Sequence, residues 1–160
     1  MKRLIVIVGL TLLTNTACAD PQSEISAYRK LYGLSAVTVD AKLAELARKQ
    51  AAAMAERRSL DHNVYAPFRS RLASYGVSSA AENIAMGTRT FRETFAVWKS
   101  SSGHNANLLL RNATRIGLAS ASSHGTTYWA LILAAPGEAK DRTVDVLSVF
   151  PFVILRIGAQ

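Results

Sequence analysis

The chain contains three histidines, each in a different setting. His62 follows a long alanine-rich stretch in LDHNVY, His104 stands behind a serine–glycine turn in SSGHNANLLL, and His124 falls within SSHGTT. Glu82 lies in AAENIAMG, an acidic residue among small apolar neighbours. Carboxylates are rarely buried unless paired, so an inward-packing segment here predicts a partner for Glu82. His104, ahead of an apolar turn, wants a partner by the same logic. Brought to one cleft from their separated segments, His62, Glu82 and His104 would suit a zinc ion, which takes imidazole nitrogens and carboxylate oxygens. Spacing alone does not select that reading, because no H-x-x-x-H pair and no C-x-x-C is present. A histidine at a helix end is also favourable with the helix dipole, which explains His62 without any site. His124 reads as a surface turn residue. Ser101 and Ser102, close to His104, raise the idea of a serine nucleophile. The chain has no G-x-S-x-G elbow, however, and serines between helices usually act as caps.

The elements that must position these residues can be read from patterning. QSEISAYRKLY places Ile25, Tyr28 and Leu31–Tyr32 at helical spacing, with Gly33 as its stop. The strongest helix follows, in TVDAKLAELARKQAAAMAERRSL. Asp40 is its N-cap, and Leu43, Leu46, Ala47, Met54 and Ala55 form one apolar stripe. A looser region after Asn63 carries a short helix over residues 67–74. Thr90 opens another helix with Phe91, Phe95 and Trp98 on one face, and residues 105–110 make one or two helical turns. From Arg115 the period changes: RIGLASAS and TYWALILAA read as strands about a hairpin turn at Ser123-His124-Gly125, and VDVLSVFPFVIL is a further apolar run. Helices first and paired strands later predict an α+β fold with helices packed on an antiparallel sheet.

The order LAELARKQAAAMAERRSLDH, AENIAMG, W-x-x-S-x-GHNANLLL, TRIGLASA and YWALILA resembles the CAP superfamily of cysteine-rich secretory, antigen 5 and plant pathogenesis-related proteins, including its bacterial exported single-domain members. The resemblance covers roughly residues 24–135 and implies a three-layer α/β/α sandwich. In eukaryotic members a cleft holds two histidines and two acidic residues, sometimes with zinc. It implies that His62 and His104 are the two histidines and Glu82 is the first acidic residue. The second acidic position, three after Trp98, is Ser101 here. A hydroxyl is a poor zinc ligand beside a carboxylate, which lowers the expectation of tight binding. His62, Glu82 and His104 would remain as a three-ligand open metal site, with Ser101 lining the cleft. Asn83, Asn107 and Trp98 are expected to be structural, the two amides bonding loop backbone. Residues 136–160 extend past the resemblance, either as a strand at the sheet edge with Pro151 limiting it to an edge position, or as a tail that touches a membrane.

The amino terminus, MKRLIVIVGLTLLTNTACA, has the charged start, apolar run and small-residue cleavage site of a secretory signal peptide over residues 1–19. The alternative is a lipoprotein signal ending at Ala17, with Cys18 lipidated. Either way residues 20–160 form one exported domain, periplasmic or extracellular. Cys18 is the only cysteine, so no disulfide holds that domain, which points to a bacterial source. The apolar run is about half of what spans a bilayer, so no transmembrane helix is expected. The net charge of +8 is spread through the chain without basic runs or interleaved aromatics. That pattern argues against nucleic acid and suits an acidic envelope lipid or wall polymer. Three functions compete at this stage. The first is a non-catalytic module binding a lipid or envelope ligand at the His/Glu cleft. The second is a divalent-metal-dependent hydrolase using the same cleft. The third is an envelope structural or interaction protein.

Overall fold

Asp40 accepts hydrogen bonds from the N–H groups of Lys42 and Leu43, and this cap starts the longest helix, α2 (Ala41–Arg57). Such a cap is worth about 1 kcal/mol. The stripe Leu43, Leu46, Ala47, Gln50, Ala51, Met54 and Ala55 is buried against the sheet. Ahead of α2, helix α1 (Pro21–Leu31) starts at Asp20 and ends in a Schellman motif. There Gly33 (φ +69°) donates to Lys30 O and Leu34 donates to Arg29 O. The structure is a computed structural model describing residues 20–137, 143–149 and 152–158, with the last two spans described by their backbone. The expected signal peptide over residues 1–19, with Cys18, and Pro151 lie outside the described residues.

After α2 come α3 (Phe68–Leu72), β2 (Val77–Met86), α4 (Phe91–Ser100), α5 (Ser102–Leu108), β3 (Arg115–Ser123) and β4 (Thr126–Pro136). A two-residue β1 (Thr38–Val39) precedes α2, and β5 (Thr143–Val149) and β6 (Phe152–Gly158) follow. The strand order is β1-β3-β4-β2-β6-β5. All pairings are antiparallel except the short β1–β3 contact, which is parallel. His124 and Gly125 join β3 to β4, both with positive φ (48° and 78°), the backbone of a type I′ turn.

Helices α2 and α3 cover one face of the sheet and α1, α4 and α5 the other, giving the three-layer α/β/α sandwich. Gly117 on β3 permits the closest approach between layers, because a Cβ there would overlap the backbone of Leu43 and Ala44 on α2. On the opposite face Trp98, fully buried, donates its indole N–H to Ile84 O at 3.3 Å. Arg29 of α1, also fully buried, reaches across to the end of α5. Its guanidinium donates to the carbonyls of Ser35, Leu108, Leu110 and Ala113. Burial holds Arg29 below its ordinary pKa, and those carbonyls offset the desolvation.

Three features differ from the sequence expectation. Residues 77–86, read as part of a loose region, form the long strand β2 inside the sheet. Helix α5 begins at Ser102 rather than at residue 105. The carboxy-terminal apolar segment supplies two strands: β6 pairs with β2 at Ser79–Ala81, and β5 pairs with β6.

Candidate functional site

Glu82 sits on the face of β2 that looks toward α2 and α3, sharing that face with Ala80 and Ile84. Its side chain is 0% exposed. Oε1 lies 2.9 Å from His62 Nδ1 and accepts from Arg71 Nη2 at 2.9 Å, and Oε2 accepts from Arg71 Nη1 at 2.7 Å. Each carboxylate oxygen therefore meets a charged or chargeable donor. Arg71 contributes a bidentate fork, the strongest geometry for this pairing.

Arg71 is itself held on all sides. It lies on α3 between the buried Phe68 and Leu72. Nε donates to Ala66 O at 3.0 Å and Nη2 to His62 O at 2.7 Å. The guanidinium carbon lies 4.9 Å from the centre of the Phe68 ring. In the sequence Arg71 is one of many charges spread through the chain, yet its side chain is only 1% exposed. The unmet demand of Glu82 for a partner was the available signal. The expectation assigned that role to histidines alone.

His62 is delivered by the turn after α2. Arg58 closes the helix in a left-handed conformation (φ 51°). Gln50 Nε2, on a buried α2 side chain, donates to Asp61 O at 2.6 Å and pins the turn. His104 comes from α5 on the opposite layer. Burial, followed by the electrostatic influence of neighbouring His62, holds its imidazole below the usual histidine pKa. His62 thus meets Glu82 from the α2 side of the sheet, while His104 is carried by the opposite layer.

Asn83, next to Glu82, points to the other face. Its Nδ2 donates to His104 O at 3.0 Å. Asn107, fully buried on α5, donates to Glu82 O at 3.1 Å and to Asn83 Oδ1 at 2.9 Å. Beyond Ala81, where pairing with β6 stops, two carbonyls of β2 are met by side chains, Asn107 bonding Glu82 O and Trp98 bonding Ile84 O. Ser101 is the N-cap residue immediately before α5, and its carbonyl accepts from Asn105 N at 2.8 Å.

The donor set does not fit zinc. Among the described residues, no group of three His, Cys, Asp or Glu side chains is arranged to hold a metal ion. The physical reason lies at Glu82. A ligating carboxylate must turn a lone pair to the metal, whereas here Arg71 and His62 engage both oxygens, and a buried guanidinium shares the site. In place of the expected three-ligand set, Glu82 forms an ion pair with Arg71 and meets His62, and His104 lies close enough to sense His62.

Comparison with known proteins agrees with this architecture. The model of the Cysteine-rich secretory protein family, CAP, matches residues 22–133. The protein YkwD of Bacillus subtilis is 33% identical over 120 residues, covering 66% of this chain and 46% of YkwD. This chain thus spans about half the length of that relative. Two bacterial structures share the fold. An outer surface protein of Borrelia burgdorferi has a TM-score of 0.63 at 22% identity, over 72% of this chain and 89% of that one. An extracellular protein of Bacillus anthracis containing an SCP domain has a TM-score of 0.61 at 21% identity, over 71% and 38%. Among the described residues no helix is long and apolar enough to cross a membrane. With the fold and the family model in agreement over most of its length, the chain belongs to the cysteine-rich secretory protein (CAP) family.

Proposed function

We propose that the chain is an exported, non-catalytic binding domain that takes a lipid or another cell-envelope ligand at the cleft of His62, Glu82, His104 and Ser101. Export follows from the signal-like amino terminus, with soluble release or anchoring through Cys18 as its two forms. The observation that carries the reading is the state of Glu82. A general base must reach the proton it removes, and Glu82 is buried with both oxygens already engaged by Arg71 and His62. Among the described residues, no side chain at the site has the setting of an activated nucleophile. The exposed arginines Arg57, Arg58, Arg69, Arg89, Arg92 and Arg111, with a net charge of +8 of which Lys2 and Arg3 in the signal-like segment supply two, favour an anionic surface as the place where the ligand is met.

The test is retention against turnover. The full chain is sedimented with anionic vesicles, zwitterionic vesicles and insoluble wall fragments, and incubated in parallel with ester and peptide substrates. Saturable retention on one of these materials without product, weakened by His104→Ala, is the expected result. Turnover that Glu82→Gln abolishes would overturn the reading in favour of a hydrolase.

A further inference from the structure

We propose that Arg71 is the resident cation of this site: its guanidinium takes the place of a metal against Glu82 and keeps the His62–Glu82–His104 cluster closed to divalent ions. This holds whatever ligand the cleft accepts. Two observations carry it together. The first is occupancy: Glu82 Oε1 already faces His62 Nδ1 and Arg71 Nη2, and Oε2 faces Arg71 Nη1. The second is anchoring. The same guanidinium is tied to Ala66 O and His62 O and lies over the Phe68 ring. It cannot swing aside for an incoming ion without abandoning two carbonyls and the ring, all within the segment that carries His62.

A divalent ion at the remaining lone pair of Glu82 would also sit beside a buried positive charge. That like-charge contact weakens binding by about a hundredfold or more. Protonated histidines would exclude metals only at low pH, whereas an arginine stays charged across the accessible range. Exclusion by Arg71 is therefore independent of pH, and this separates the two causes.

Zinc is titrated calorimetrically into the full chain at about pH 6 and about pH 8.5, spanning the histidine range. The variants Arg71→Met, Arg71→Lys, His62→Ala and the double variant Arg71→Met/His62→Ala are run alongside. Thermal unfolding of each is followed with and without zinc. The expected result is no stoichiometric binding by wild type or Arg71→Lys at either pH. Arg71→Met, freed of the cation, binds one zinc at the higher pH with a raised unfolding midpoint, and the double variant loses that binding. If Arg71→Met folds only when zinc is present, the same conclusion holds. One zinc bound by wild type and lost in His62→Ala would overturn the proposal, as would a folded Arg71→Met that binds none. Should Arg71→Met fail to fold under any condition, wild type at the higher pH decides: absence of binding upholds exclusion, and binding that His62→Ala removes refutes it.

Discussion

The Arg71–Glu82 pair lends itself to a double-mutant cycle whose outcome follows from burial. Replacing Glu82 by leucine leaves a guanidinium, 1% exposed, without its counter-charge. Breaking one side of a buried pair in this way costs about 3–5 kcal/mol. Replacing Arg71 by methionine leaves Glu82 with His62 alone and strips Ala66 O and His62 O of their donor, a loss in the same range of about 3–5 kcal/mol. The double variant removes both charges together. What remains is two carbonyls deprived of a partner, about 2–3 kcal/mol in total. The double variant should therefore be more stable than either single one, with a coupling energy of roughly 5–6 kcal/mol between the sites. Urea is the suitable denaturant, because it leaves ionic strength unchanged. With a slope near 2 kcal/mol/M for a domain of this size, each single substitution lowers the midpoint by about 2 M and the double by about 1 M. If the two single losses simply add in the double variant, to within about 0.5 kcal/mol, the ion pair is not the unit described here.

Two further substitutions probe the frame around the site. Gly117→Ala drives a methyl group into the α2 backbone and should cost about 3 kcal/mol, the upper end of overpacking. An unchanged thermal midpoint would show that α2 does not lie against β3. The Tyr28 phenol is pushed up to about 12 by burial and by the adjacent Tyr32 hydroxyl. Its folded pKa exceeds the unfolded value near 10, so its contribution is complete below about pH 10 and is lost as pH rises through 12. Ultraviolet titration should show one of the five tyrosines ionising late, and Tyr28→Phe should remove that late component. All five phenols titrating with midpoints near 10 in the folded wild type would refute it.

Much of this frame was legible because local signals agreed with tertiary packing. Asp40 and its apolar stripe announced α2, Thr90 with Glu93 forms the capping box that starts α4, and His124-Gly125 makes the hairpin. Strand β2 was hidden for a physical reason. It is buried on both faces from Ala80 to Ala85, so VSSAAENIAM shows no alternation, and its alanines favour helix in isolation. Its strand character comes from pairing with β4 along nearly its whole length, which no local window contains. Arg71 was hidden differently. In RSRL, Arg69 and Arg71 look alike, and only the short helix separates them, leaving Arg69 exposed and turning Arg71 inward with Phe68 and Leu72. The sequence stated the demand, a buried Glu82, but the supplier lies eleven residues away on another element.

The adjacent pair Glu82-Asn83 acquires its meaning from the two-residue period of a strand. Successive side chains leave opposite faces of the sheet, so one dipeptide addresses both helical layers at the same point. Glu82 ties β2 to the α2–α3 layer through His62 and Arg71, while Asn83 ties it to α5 through His104 O and Asn107. Asn107 then closes the loop by bonding Glu82 O. A one-residue slip of β2 would exchange the two faces, burying the carboxylate among the apolar residues around Trp98 and leaving Arg71 facing an amide. Both results are costly, so the pair fixes the register of a strand whose alanines could otherwise slide. The same contacts set His62 and His104 on either side of β2. The ion pair that fixes the strand thus also holds His62, whose Nδ1 lies 2.9 Å from Glu82 Oε1, and a substitution that weakens it should loosen the turn that carries His62 before it unfolds the domain.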